Sequence, residues 1–161
     1  MKIRNAVAAD LAAIVDIYNQ SIPHRLATAD TEPVTIADRL NWYRDRPVNR
    51  PLWVATEEER VLGWLSFQNF YGRPAYWHTA EISVYVAPIC QRQGIGSQLV
   101  AKAIAHSPQL QLSTLLAFIF AHNQPSLNLV TKYGFERWGY LPDIAELDCI
   151  KRSLVVLGRK I

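Results

Sequence analysis

The sequence predicts an α/β (α+β) chain folded around one largely central sheet, as a single domain spanning residues 1–161. Three observations carry this. The 161 residues are 50% hydrophobic and 19% charged, and a chain of that length buries roughly 70% of the surface it exposes when unfolded, enough for a core without disulfides or metals. Segments with strand periodicity are interleaved with segments of helical periodicity. One segment, Thr114 to Phe120, is a continuous apolar run of the kind found in strands covered on both faces.

The elements follow in order. Ile3 to Ala6 reads as a short strand. Leu11, Ile14, Val15 and Tyr18, following Asp10, form the apolar face of a helix that Pro23 stops. Thr35 is an N-cap for a second helix carrying Ile36, Leu40 and Tyr43, ended before Pro47. Leu52 to Thr56 and Val61 to Phe70 are strands, with Glu57-Glu58-Glu59 turning between them, and Tyr76 to Val86 is a third. Gly94 to His106 reads as a helix with Leu99, Val100 and Ile104 inward. After the Thr114–Phe120 strand comes a short helix, Ser126 to Lys132, broken at Gly134. Phe135 and the stretch from Cys149 to Leu157 mark a final pair of strands.

Composition excludes several classes of function. Seventeen Lys and Arg against fourteen Asp and Glu leave a net charge of +3, and the basic residues are scattered, so no nucleic-acid face is expected. The longest apolar run, Leu115 to Ala121, falls far short of the roughly 20 residues a membrane span needs. The start, Met-Lys-Ile-Arg-Asn, lacks the apolar stretch of a signal peptide, which points to a cytoplasmic protein. Cys90 and Cys149 make neither a disulfide framework nor a zinc spacing and read as small apolar fillers. His24, His78, His106 and His122 show no metal spacing, so no metal is expected.

The stretch that carries chemistry runs from Tyr85 to Leu99. A strand ends at Val86, a polar loop follows, and Gly94 and Gly96 open a helix. A helix N-terminus offers free N–H groups and a partial positive charge to a phosphate. Glycines at 94 and 96 let a pyrophosphate approach the backbone with no Cβ in the way, and Arg92 can add a charge contact. Taken alone, the same pattern also describes a tight strand-to-helix turn. It lacks the third Gly of the dinucleotide fingerprint and the Lys-Ser/Thr of a Walker loop.

Gln91-Arg92-Gln93-Gly94-Ile95-Gly96 resembles the Gln/Arg-x-x-Gly-x-Gly/Ala motif of the GNAT superfamily of acetyl-CoA-dependent N-acetyltransferases. Ala80 to Val86 looks like the fourth strand of that fold. Asn123-Gln124-Pro125-Ser126 and Tyr133-Gly134-Phe135 look like its Asn-x-x-Ser helix and its Gly-Phe strand start. Arg73-Pro74-Ala75-Tyr76, Thr79-Ala80-Glu81 and Val84-Tyr85-Val86 are similar to the phosphinothricin and methionine sulfoximine acetyltransferase branch. The resemblance covers Ile3 to about Arg152. It implies a mixed sheet of six to seven strands, splayed between the fourth and fifth and flanked by about four helices. Acetyl-CoA would be the cosubstrate, its pantetheine arm pairing with Val84, Tyr85 and Val86. Its pyrophosphate would rest on the amides of the loop formed by Gln91, Arg92, Gln93, Gly94, Ile95, Gly96 and Ser97. Asn123 would bond the pantetheine arm, with Ser126 beside it; a plainer reading of Asn123 is a residue that stops the strand before Pro125.

Acetyl transfer to an amine needs a free lone pair, a polarised carbonyl and a proton for the leaving thiolate. Backbone N–H groups near Val84 could polarise the carbonyl. Glu81, Ser83 and Tyr85 share one face of their strand. Glu81 is either a solvent-facing strand residue or the base, and the branch places its proposed base at this Glu. The position at which many relatives carry a Tyr or His acid is Val130 here, and Tyr133 lies elsewhere on the helix, so no acid is assigned. Arg73 is either an exposed loop residue or the guanidinium fork for a substrate carboxylate. One or two of the dense aromatics Trp64, Phe67, Phe70, Tyr71, Tyr76 and Trp77 could wall a small amino-acid pocket.

The expected partner is a small-molecule amine, best an amino acid or analogue, with no nucleic acid and no membrane; a homodimer is allowed for. Two other readings stay open: a CoA-binding sensor without turnover, and an acetyltransferase of protein N-termini or lysines.

Overall fold

The computed structural model describes all of residues 1–161. Strand β1 (Lys2–Asn5) leads into helix α1 (Leu11–Ser21), helix α2 (Ile36–Arg44) and the strands β2 (Leu52–Glu57), β3 (Arg60–Asn69) and β4 (Thr79–Val86). Helix α3 (Ile95–His106), strand β5 (Thr114–Phe120), helix α4 (Gln124–Lys132) and the strands β6 (Glu136–Leu147) and β7 (Ile150–Lys160) complete the chain. The seven strands form one sheet in the order β1-β2-β3-β4-β5-β7-β6, in which only the β4–β5 pair is parallel. This is the mixed sheet with four helices that the resemblance implies.

Local chemistry places the helices. Asp10 sits at the start of α1, accepts from the Val7 N–H at 2.8 Å and receives both Arg4 Nη atoms at 2.6 and 2.9 Å. Thr35 caps α2 as expected: the Asp38 N–H donates to Thr35 Oγ1 at 3.1 Å, and Asp38 returns the bond to the Thr35 N–H at 2.7 Å. Helix α1 lies on the sheet face of Trp64, whose indole N–H donates to the Ile14 carbonyl at 3.1 Å and whose ring stacks on Tyr85 at 4.6 Å between centroids. Helix α3 covers the opposite face, on which Val84 and Val86 approach Gly96. The core runs between the layers, with Val54, Leu65, Phe67, Leu99, Val100 and Leu115 essentially without exposure.

Three expectations change. Tyr76 to His78 is not strand. Tyr71 and Gly72 both turn left-handed (φ +53° and +68°), Pro74 to Tyr76 forms a 3₁₀ turn, and β4 begins only at Thr79. Pro74 has no N–H for a ladder and fixes a turn φ, which overrides the β-propensity of the aromatics around it. Buried Arg50 then fixes the start of β4, donating to the carbonyls of Trp77 (2.6 Å) and Thr79 (3.3 Å). Cys90 is a buried filler as expected, but Cys149 is exposed in the β6–β7 turn with φ +61°. The last strand pair runs well past its expected bounds, to Lys160.

Candidate active site

The parallel ladder between β4 and β5 has three rungs, Thr79 to Thr114, Ala80 to Leu115 and Glu81 to Leu116. Beyond them Ile82–Val86 and Ala117–Phe120 diverge, because β4 stays paired to β3 while β5 follows β7. The wedge between them is a cleft of about 440 Å³ lined by Glu81 to Tyr85 on one side and Ala117 to Phe120 on the other. Asn123, Ser126, Leu129 and Val130 close it from α4. Past Glu81 the cleft-side edges of both strands lack a ladder partner, so an extended ligand carrying amides can pair there as an added strand.

A strap over the cleft, Leu26 to Ala29, was not foreseen. It is held from several elements. His122 Nε2 lies 2.7 Å from the Arg25 carbonyl, Asn123 Nδ2 donates to the Leu26 carbonyl at 3.0 Å, and the Tyr85 hydroxyl donates to the Ala27 carbonyl at 3.1 Å. Arg25 reaches Asp148 in the β6–β7 turn at 2.9 Å. Asn123 is therefore buried, with its amide on the strap and its Oδ1 accepting from the Ser126 N–H at 3.3 Å as the cap of α4. β5 already ends at Phe120, so Asn123 marks the start of α4 and adds a strap contact that no local motif announces.

At the other end of β4 the loop from Ala87 to Gly94 carries two left-handed residues, Arg92 (φ +62°) and Gly94 (φ +81°), and α3 starts at Ile95 without a side-chain cap. The first-turn N–H groups of Ile95, Gly96 and Ser97 thus have no helical acceptor and suit an anion. A Cβ built on Gly94 would meet nothing within 4 Å, so this surface is open to a ligand. Gly96 differs from expectation: its missing Cβ points inward, 3.2 Å from Leu129 Cδ2 and close to Val84 and Val86. Its glycine serves the packing of α3 on β4 and α4. Gln91, Arg92 and Gln93 are exposed around the loop.

Glu81 lies at the apex of the wedge, on the same strand face as Ser83 and Tyr85, as the alternation requires. Its carboxylate has no hydrogen bond or ion pair in the protein, and burial raises its pKa above the ordinary carboxylate value. Val130 is buried and lines the cleft, so the site presents an apolar group at the position that the resemblance marks for an acid. Tyr133 lies outside the cleft lining, with Lys132 Nζ 5.7 Å from its ring. Arg73 is exposed in the β3–β4 loop, on a separate surface hollow with Phe70, Tyr76, Trp77 and His78, and does not line the Glu81 cleft.

The residues present fit acetyl-CoA: two unpaired strand edges for an amide-bearing arm, an open glycine face and free helix N–H groups for the pyrophosphate, and a carboxylate at the apex. A sheet opened in this way, with a carboxylate at its last parallel rung, is the arrangement that the resemblance to acetyl-CoA-dependent N-acetyltransferases implies. The chain belongs to the Acetyltransferase (GNAT) family, which it matches over residues 11–135. It is 48% identical over 162 aligned positions, spanning 100% of the chain and 99% of its relative, to the Bacillus subtilis protein named "Putative phosphinothricin acetyltransferase YwnH". It is 32% identical to the L-methionine sulfoximine/L-methionine sulfone acetyltransferase of Salmonella typhimurium, covering 89% of the chain and 85% of that protein. The crystal structure of a GNAT superfamily phosphinothricin acetyltransferase from Sinorhizobium meliloti in complex with acetyl-CoA superposes with a TM-score of 0.90 at 27% identity, over 99% of this chain and 88% of that one.

The strap over the cleft was missed, as were the α2 residues Arg39 and Trp42, which line a smaller hollow with Ser83 beside it. The available signal was the strand alternation: Trp64, Ser66 and Gln68 of β3 stand opposite Tyr85, Ser83 and Glu81 of β4. This puts a row of polar and aromatic groups beneath α1 and α2.

Proposed function

We propose that the chain acetylates the α-amine of a free amino acid or amino-acid analogue of the phosphinothricin or methionine sulfoximine kind. The observation that carries this reading is Glu81, an unpaired and partly buried carboxylate at the closed end of the wedge. Acetyl-CoA supplies the activated acetyl group. Val84 to Val86 hold its arm along the free edge of β4, and the loop from Gln91 to Ser97 receives the pyrophosphate, Arg92 adding charge. Asn123 and Ser126 shape the cleft from the α4 end. Backbone N–H groups near Val84 polarise the carbonyl. Glu81 removes a proton from the acceptor ammonium, directly or through one water, and a base with a raised pKa is better matched to neutral pH than an ordinary carboxylate. The departing thiolate takes its proton from water or from the acceptor's own ammonium, since the acid position is Val130.

Arg73, on the β3–β4 loop, is proposed to face the acceptor carboxylate as its guanidinium partner. Acetyl-CoA is an intracellular metabolite, and the cytoplasm is the proposed location. A second copy of the chain is the proposed partner of β6. This edge strand is 12 residues long, and Trp138, Tyr140, Leu141 and Ile144 on it are exposed.

A thiol-release assay with acetyl-CoA and a panel of amines tests the reading. Free amino acids and their analogues should be turned over, and simple amines and peptides should be poor acceptors. Release with peptides alone would replace it with a protein-modifying role, and no release with any acceptor would favour a sensor.

A further inference from the structure

Beside the cleft, on the face of β4 covered by α1 and α2, lies a second cavity of about 150 Å³. It shares Ser83 and Tyr85 with the cleft, so the two adjoin along β4. Its remaining walls are Ile14, Tyr18, Trp42 and Trp64, with Arg39 and Gln68 as further polar groups. Gln68 is the cross-strand partner of Glu81, which places the cavity next to the base on the side away from the β3–β4 loop.

Three of the residues that line this cavity, Trp42, Gln68 and Ser83, carry polar groups without partners. Trp42 Nε1 is buried without a hydrogen bond, and neither the Gln68 amide nor the Ser83 hydroxyl has a partner within the protein. The Trp42 N–H is the buried one of the three, and a buried donor left unmatched costs about 1–3 kcal/mol, so a group of this kind usually meets a ligand or water. The cation is held in place: Arg39 stacks over the Tyr18 ring at 4.7 Å and binds Asp30 at 3.3 Å, and Asp30 also accepts from the Tyr18 hydroxyl. A fixed guanidinium with an indole N–H in an aromatic cavity suits an oxygen acceptor and disfavours an ammonium. From Glu81 to Ser83 is two strand residues, roughly 7 Å. That is about the reach of the four or five bonds from an amino group to the end of a short side chain.

We propose that this cavity is the subsite for the acceptor's side chain, and that Arg39 and Trp42 select acceptors whose side chain ends in a polar oxygen group, such as a sulfone or phosphinate. The inference rests on the amino-acid reading above. The amine then sits at Glu81, the carboxylate towards the loop of Arg73, and the side chain under α2.

Methionine and methionine sulfone have the same chain length and differ only in the two oxygens on sulfur, so their kcat/KM ratio is the measurement. The parent should prefer the sulfone. Trp42→Phe removes the N–H and keeps a ring, and Arg39→Gln removes the charge from a partly exposed helix position. In each, the ratio of sulfone to methionine should fall at least fivefold, while acetyl-CoA affinity by calorimetry stays within twofold. If Trp42→Phe does not fold, Arg39→Gln decides alone. A parent that turns over both amino acids, with a ratio that neither substitution moves, overturns the subsite and leaves the amino-acid reading standing. A parent that acetylates only amines lacking a carboxylate overturns both.

Discussion

Glu81 pairs with Leu116 in the last rung of the β4–β5 ladder, so the carboxylate stands where two strands stop sharing hydrogen bonds and the cleft begins. Burial without a partner raises its pKa, and a base works only when ionised. The rate should therefore fall as pH drops through that raised value. Glu81→Gln keeps the shape and removes the proposed base. Turnover should drop by about 10²–10⁴-fold, acetyl-CoA affinity should hold, and the acidic limb of the kcat/KM profile should vanish. Parent-like turnover at neutral pH would assign the base elsewhere.

The two loop glycines should separate. Gly94 has φ +81° and open space about it, so Gly94→Ala meets no clash, carries a left-handed strain of about 1–2 kcal/mol, and places a methyl on the proposed pyrophosphate surface. Acetyl-CoA affinity should fall more than tenfold, or about 1.4 kcal/mol. Gly96→Ala instead presses on Leu129 inside the fold, so its effect should appear mainly in the melting temperature. Calorimetric titration and thermal melts on both variants distinguish the two roles.

These glycines also show where the sequence stops being informative. The loop and both its glycines are readable from Tyr85 to Leu99, but the direction of a missing Cβ depends on how α3 sits on β4. The Thr114–Phe120 strand is readable to the residue because a doubly covered strand must be apolar throughout. Tyr76 to His78 misleads, since aromatic β-formers there are overruled by left-handed Tyr71 and Gly72 and by Pro74. The strap and the Arg39–Trp42 wall have no local signature. Their role comes from tertiary packing that brings α2 and residues 26–29 over a strand some fifty residues away.

Asp10 joins β1 to α1 through Arg4 and the Val7 N–H, and the Arg4 hydrogen bonds are the main cause of its depressed pKa. A depressed folded value means that the stabilisation is fully present above the unfolded pKa of about 3.9. It is lost as pH falls through the lower folded value. Asp10→Asn should cost about 1–3 kcal/mol at neutral pH, and its acid-side stability curve should be flatter than the parent's. Urea titrations from pH 7 to 3 give both numbers.

The edge strand offers a test of assembly. Leu141 and Ile144 are 37% and 59% exposed on β6, and charged residues on an edge block pairing with another copy. Leu141→Lys with Ile144→Lys should convert a dimer to a monomer in sedimentation velocity without lowering the melting temperature of the isolated fold. A parent that sediments as a monomer at all concentrations removes the second copy from the proposal.

Arg73 stands on an exposed loop outside both the cleft and its side cavity. The loop nonetheless leads directly into β4, eight residues before Glu81, and its far end is fixed by Arg50 at Trp77 and Thr79. A carboxylate held close to the reacting amine needs a cationic partner once water is displaced. Arg73→Lys keeps the charge and loses the bidentate fork, so KM for an amino acid should rise while acetyl-CoA affinity is unchanged, and Arg73→Ala should do more. An acceptor with no carboxylate never makes the contact and should respond little to either change. Steady-state kinetics with an amino acid and with its decarboxylated amine, on parent and both variants, separates the roles: equal losses for the two acceptors would make Arg73 a structural residue of the loop.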